Sequence, residues 1–288
     1  MANRARTAVL PYILSELNES EESLRAQGIE AETLLAIYND YIGRVAELKT
    51  IATFVTDTLL RHKDVHAVRY RIKEPLHLLK KIIRKKQEYP SRYLNAANYT
   101  IYINDLAGVR ILHLSKQSCH NIANYIQQNW ELKREPYAYV KEGDTHDAKQ
   151  FSALNYKVMM NSRGYKAQHY IIKVQATRQL YFIEIQVKTL FEEGWSEIDH
   201  CIRYPDHEPN ELLNRLLWLL NQSTSNADML ATQMQALANE LHNYQQGHKT
   251  GAKVTVSQLH SHIDDLPVDQ QEKQYLYACL AKLTGSEL

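Results

Sequence analysis

Cysteine is scarce: Cys119, Cys201 and Cys279 are the only three in 288 residues, and they lie far apart. An odd, scattered set offers neither a disulfide framework nor thiolate zinc spacing, so the expectation is buried thiols in a reducing cytoplasm, without zinc. Long apolar runs are missing too. None nears the roughly 20 residues of a membrane-spanning helix, and the run from Thr7 to Pro11 is too brief for the core of a secretory signal. Neither a membrane partner nor export is expected. The nine glycines nowhere gather into a phosphate-cradling loop. Nor is there a serine nucleophile elbow, a His-Asp metal pair of hydrolase type in the N-terminal helices, an internal repeat or a low-complexity tract.

What is present reads as a soluble globular chain of one or two domains, 44% hydrophobic and 23% charged. The net charge of +1 conceals an uneven distribution. Arg61 to Lys86 holds ten Lys/Arg against Asp64 and Glu74, whereas Leu190 to Leu288 holds six against fourteen Asp/Glu. So concentrated a basic block suits a polyanionic partner such as nucleotide phosphates, although a solvated basic face remains the plain alternative. The acidic C-terminal part argues against a general nucleic-acid coat protein.

Periodicity predicts helices over about 8–62, with Leu34, Ile37, Tyr41, Val45, Leu48 and Ala52 recurring at three- and four-residue steps. A short β segment at Arg69–Lys73 precedes a helix opened by Pro75, with Leu76, Leu79, Ile82 and Ile83 as its apolar stripe. A strand at Val109–Leu114, a helix at Cys119–Trp130 and a polar loop over 133–153 follow. Residues 155–188 then read as a meander of antiparallel strands, and from Leu190 the pattern is helical, with a connector at 243–255 and a short helical tail. The resulting expectation is an α+β fold with a mixed, largely antiparallel sheet flanked by helices. Its parts are an N-terminal helical extension (1–60), a central domain (61–242), and a linker with helical tail (243–288).

Within Tyr181–Lys188, alternation puts Tyr181, Ile183, Ile185 and Val187 on one face and Glu184, Gln186 and Lys188 on the other. By itself this is a half-solvated sheet face. The polar face could also hold a metal and a phosphorylated ligand. Arg71 and Lys73 share one side of an extended segment at a helix start, followed by Lys80 and Lys81, a placement suited to anions. Asp105 either caps a turn or pairs with Glu184 as ligands for a divalent metal bound to nucleotide phosphates. Tyr165, after Gly164, is either core or a base-stacking platform. Trp195 reads most simply as core.

In this order, Arg71-Ile-Lys73 with Lys80-Lys81, Asp105-Leu-Ala-Gly-Val-Arg110, Gly164-Tyr-Lys-Ala-Gln-His169, and Glu184-Ile-Gln-Val-Lys-Thr189 with Trp195, His200 and Tyr204 resemble the synthetase domain of the RelA/SpoT family. The resemblance covers roughly 50–240 and implies a nucleotidyltransferase-like fold that moves pyrophosphate from ATP to the ribose 3′-hydroxyl of GDP or GTP, making (p)ppGpp. It implies that Asp105 and Glu184 bind Mg2+, with Glu184 also drawing or orienting the hydroxyl proton. Arg71, Lys73 and Lys80 or Lys81 would hold the ATP phosphates, and Arg110 would pack on adenine. Tyr165 would stack on the acceptor base, with Lys166, His169, Gln186 and Lys188 near its ribose and phosphates.

Several positions depart from the family pattern: His77 for the usual Ser, Lys166-Ala167 for Arg-Ser, Lys188 for Arg, Glu193 for Asn or His, and Pro205 for Lys. They leave the acceptor open. Toxin-like relatives use the 3′ end of tRNA or adenine nucleotides instead, and a catalytically silent nucleotide-sensing module is a third reading. Nothing resembles the hydrolase or regulatory domains of long family members. The implied protein is a small cytoplasmic synthetase, with a homo-oligomer through the stripe Leu212–Leu241, or a regulatory or antitoxin-like partner on the tail, as further expectations.

Overall fold

The computed structural model describes residues 9–203, 210–250 and 256–284. Helices α1 (Leu10–Leu17), α2 (Glu21–Ala26) and α3 (Ala31–Leu59) open the chain. Along α3, Leu34, Ile37, Tyr41, Leu48 and Ala52 are wholly buried, as their spacing requires. They belong to the same core as the sheet that follows, so the N-terminal helices are packed into the central domain. Strand β1 (Ala67–Ile72) leads into α4 (Pro75–Glu88). Glu74 caps α4, its carboxylate accepting from His77 N at 2.8 Å, and Leu78 rather than Leu76 completes the buried stripe with Leu79, Ile82 and Ile83.

A one-turn helix, α5 (Tyr99–Tyr102), precedes β2 (Ala107–His113) and α6 (Ser118–Asn129). The segment expected to be a polar loop folds into β3 (Tyr137–Lys141) and α7 (Thr145–Ala153). Both elements carry weak signals. Strand β3 is short and turns only Ala138 and Val140 inward, and α7 buries no residue at all, so neither offers a sustained apolar period. Strands β4 (Lys157–Asn161), β5 (Ala167–Val174) and β6 (Tyr181–Thr189) follow, then α8 (Leu190–Arg203), α9 (Glu211–Thr250), α10 (Val256–Asp264) and α11 (Gln270–Thr284).

The six strands form one sheet in the order β1-β2-β6-β5-β3-β4. Pairs β1/β2, β6/β5 and β5/β3 are antiparallel, whereas β2/β6 and β3/β4 are parallel. The expected meander therefore holds for β5 and β6 only. Strand β3 takes the place beside β5, and β4 becomes an edge strand parallel to β3.

Helix α9 runs through the first part of the expected connector to Thr250, and the rest, to Thr255, lies outside the described residues. A satellite core of Leu259, Ile263 and Leu280 packs α10 and α11 against Leu237 and Leu241 of α9. Nearer the start of α9, Leu212, Leu216 and Leu219 are exposed and Leu217 is buried. Among the described residues no helix is long and apolar enough to cross a membrane, and all three cysteines are free.

One tether ties the N-terminal helices to the strand ends. The Tyr41 hydroxyl, fully buried on α3, donates to Lys73 O at 2.6 Å and also approaches Leu106 O at 3.3 Å. It thereby joins the ends of the segments that carry Lys73 and Asp105. Tyr41→Phe is expected to cost about 1–2 kcal/mol in urea unfolding, and an unchanged midpoint would mean that packing alone holds these segments.

Candidate functional site

Strand registers decide which side chains share the open face of the sheet. Arg71 pairs with Gly108, and Gly108 with Glu184. One step along, Arg69, Arg110, Gln186, His169 and Tyr137 form a continuous row across five strands. Tyr181, Ile183, Ile185 and Val187 of β6 are 0% exposed on the opposite face. Gly108 puts no side chain between Arg71 and Glu184, and the Arg71 stem passes 3.7 Å from where a Cβ would stand. An open cleft of about 250 Å³ runs along Arg69, Arg71, Gly108, Arg110 and Gln186.

Glu184 is fixed by its neighbours. Gln186 Nε2 donates to its Oε2 at 2.9 Å, and His169 Nδ1 lies 3.3 Å from its Oε1. The other His169 nitrogen, Nε2, lies 3.0 Å from the Tyr165 hydroxyl, and Tyr139 packs on the imidazole at 4.7 Å. Burial alone would raise the Glu184 pKa, but His169 and Gln186 outweigh it and the net shift is downward. The nearby charge of Asp105 pushes the other way, so the two carboxylates sense each other.

Asp105 sits just before β2 between two ammonium groups. Lys73 Nζ lies 2.8 Å from Oδ2 and Lys81 Nζ 2.8 Å from Oδ1. Burial raises its pKa, and the two lysines more than reverse this. Lys81 therefore faces the site, whereas Lys80 and Arg71 are exposed. Asp105 and Glu184 are hard oxygen donors, two in number and electrostatically coupled. That set fits a divalent cation such as Mg2+ that keeps water and phosphate oxygens in its remaining positions.

The other expected site residues divide into two groups. Arg110 is clamped by Glu193 and Glu197 of α8. Lys188, 1% exposed along its side chain, lies 3.4 Å from Glu193 Oε2, donates to Ser196 Oγ at 2.9 Å and stands 4.6 Å over the Tyr165 ring. Burial lowers the Lys188 pKa, with Glu193 opposing, and burial raises that of Tyr165. Glu193 thus joins Arg110, Lys188 and, through Lys188, Tyr165 into one buried cluster. Lys166 is set apart: its Nζ lies 3.7 Å from Asp144, in a different cavity. Trp195 is a core residue, its Nε1 donating to Leu217 O at 2.9 Å. Tyr204 and Pro205 lie outside the described residues.

Glu193 entered the sequence reading only as a departure from a pattern. Its local cue is Thr189-Leu-Phe-Glu192, a capping box. Thr189 N donates to Glu192 Oε2 at 2.9 Å and Glu192 N to Thr189 Oγ1 at 3.0 Å. With α8 started there, the next residue faces Lys188 and Arg110. The turn before Tyr165 is fixed by Gly164, at φ +90°, where a Cβ would meet the Asn221 side chain at 2.9 Å.

The fold and this face define an α+β protein with carboxylates and cations gathered on an open mixed sheet. Residues 70–209 match the family model described as "Region found in RelA / SpoT proteins", so that region of the chain is similar to the RelA/SpoT family. A similar curated protein is GTP pyrophosphokinase YwaC of Bacillus subtilis (strain 168), 25% identical over 161 residues, which are 54% of this chain and 67% of that protein. The crystal structure of small alarmone synthetase 1 from Bacillus subtilis superimposes with a TM-score of 0.51 at 19% identity, covering 70% of this chain and 95% of that one. That second likeness is one of fold.

Two outcomes follow from the buried charges. Glu193→Ala strands Lys188 and should cost about 3–5 kcal/mol in urea unfolding, with much of the loss recovered by adding Lys188→Met; full additivity of the two changes would deny the pairing. The second concerns Asp228, 2% exposed on α9, whose Oδ2 accepts from Thr189 Oγ1 at 2.8 Å. Burial, helped by Glu192, pushes its pKa up to about 7. Because the folded value is the higher one, the stabilising contribution is present at low pH and is lost as pH rises from about 4 through about 7. The urea midpoint should therefore fall less between about pH 5 and about pH 8 in Asp228→Asn than in the wild type.

Proposed function

We propose that this chain transfers pyrophosphate from ATP to the ribose 3′-hydroxyl of GDP or GTP in a Mg2+-dependent reaction, making (p)ppGpp. The observation that carries this reading is Asp105 held between Lys73 and Lys81 within electrostatic reach of Glu184, with Arg71 across Gly108 from Glu184. The printed activity of the Bacillus subtilis relative, a GTP pyrophosphokinase, supports it.

Group transfer of this kind depends on positioning and charge neutralisation rather than on a covalent nucleophile. Lys73 and Lys81 would grip the donor phosphates from the side that they now give to Asp105, and Arg71 would close on them from the neighbouring strand. Arg110 would turn from Glu193 and Glu197 toward the adenine. Mg2+ held by Asp105 and Glu184 would neutralise charge on the phosphate oxygens.

Glu184 stays ionised at neutral pH because its pKa is lowered, which suits it to accept the hydrogen bond of the acceptor hydroxyl and aim it. The same shift makes it a weak base, so its main work is orientation. His169 and Gln186 hold the carboxylate from both sides, and Tyr165 and Lys188 form the acceptor end. Lys166 keeps a place in acceptor binding only if the loop before β5 moves, since its ammonium now faces Asp144.

The test is incubation with ATP labelled in its β- and γ-phosphates, offering GDP, GTP, ADP and deacylated tRNA separately. Label should move to GDP or GTP, cease with chelator, and fall by about 10²–10⁴ in Glu184→Gln with folding retained. Label moving to tRNA or ADP alone would change the acceptor. Nucleotide binding without any transfer would make the chain a silent sensing module.

A further inference from the structure

Below the far end of the sheet, between β3, β5, α6 and α7, lies a cavity of about 210 Å³. It meets the Glu184 face at the paired residues Tyr139 and Ala167; Gln168 and Val140 line it from the opposite side of their strands.

Its polar groups are unusually short of partners. His113 lines the cavity and is 1% exposed. Its Nδ1 lies 2.9 Å from Ser115 O, and since a carbonyl oxygen only accepts, the ring proton sits on Nδ1. Burial holds the ring's pKa below the ordinary histidine value, leaving Nε2 an acceptor, buried and without a partner. Gln168 accepts the Cys119 thiol on its Oε1 at 2.8 Å, which leaves its amide nitrogen to donate. Glu192 gives Oε2 to Thr189 N and keeps a second oxygen. Phe151 and Tyr156, 5.2 Å apart edge to face, supply aromatic wall. Lys116 and Lys166 line the same cavity in loose pairs with Asp147 and Asp144 at 3.8 and 3.7 Å.

We propose that this cavity is a second ligand site, and that it takes a flat heteroaromatic base with N–H donors, of the kind a purine presents. An orphaned imidazole nitrogen and a spare carboxylate oxygen call for two donors on the ligand. The glutamine amide calls for an acceptor, such as a ring nitrogen or carbonyl. Purines carry both kinds of group on one rigid edge, and aromatic walls favour a planar ring. The volume suits the base itself, with any ribose and phosphate directed outward to Lys116 and Lys166. Glu192 also begins α8, the helix that clamps Arg110, so an occupant would bear directly on the helix beside the Glu184 face.

The probes are 8-azidoadenosine and 8-azidoguanosine, without phosphates, photolysed with the full chain and mapped by peptide mass spectrometry. Label from at least one should appear in residues 147–156, be competed by the matching unmodified nucleoside, and fall at least about tenfold in His113→Phe. Leu154→Trp fills the cavity from an exposed position and should abolish the same label while leaving the melting temperature unchanged. The arm that labels better identifies the base. No label in 147–156, label confined to Tyr165 and 169–188, or equal label in Leu154→Trp would overturn the proposal and leave the cavity to water.

Discussion

Strand β6 is paired on both sides, in parallel with β2 and antiparallel with β5, and everything at the site depends on that double register. Its side chains alternate strictly, so a slip of one residue would turn Glu184, Gln186 and Lys188 into the core and expel Ile183, Ile185 and Val187. Burying three polar groups and exposing three aliphatic ones would cost far more than any local rearrangement could return. The hydrophobic face thereby dictates the chemistry of the other face. Gly108 opposite Glu184 and His169 beside Gln186 are consequences of the same pairing.

On that frame, charge is arranged in two compact groups. Asp105 with Lys73 and Lys81 forms one, and Glu193 with Arg110 and Lys188 the other. Each holds cations in reach of the open face by giving them carboxylates to answer. Buried ions are tolerated only when so paired, and a partner that can be exchanged for a phosphate keeps the cation available. The second group is the more enclosed. Because Lys188 also stands over the Tyr165 ring, the Tyr165 end of the face is the more tightly packed, and Glu193 is the residue that makes it so.

How much was legible beforehand differs from element to element. Helix α3 and strand β6 carry full apolar periods and read directly. Strand β3 and helix α7 do not, since one turns in only Ala138 and Val140 and the other packs no buried residue. Missing them also misplaced β4, whose neighbour was taken to be β5. At the site, Glu184, Asp105, Lys73 and the pair Lys80 and Lys81 each read alone as ordinary sheet-face, turn or surface residues, and only the resemblance of four segments taken in order joined them. Lys166 adjoins Tyr165 in the chain, yet its ammonium lies beside Asp144, a placement that adjacency does not convey. The partnerless nitrogen of His113 had no sequence signature whatever.

Local pattern, then, was enough to determine which residues line the two faces of β6, where α3 turns its apolar stripe, and that cations and carboxylates recur near strand ends. Those properties rest on periodicity and on near neighbours along the chain. Tertiary structure alone decided that Lys81 rather than Lys80 meets Asp105, that Glu193 binds Arg110 to Lys188, and that His113 opens on a cavity. Such pairings join residues far apart in the chain, Arg110 and Glu193 being separated by 83 positions. They are set by strand order and helix docking, quantities that no local period encodes.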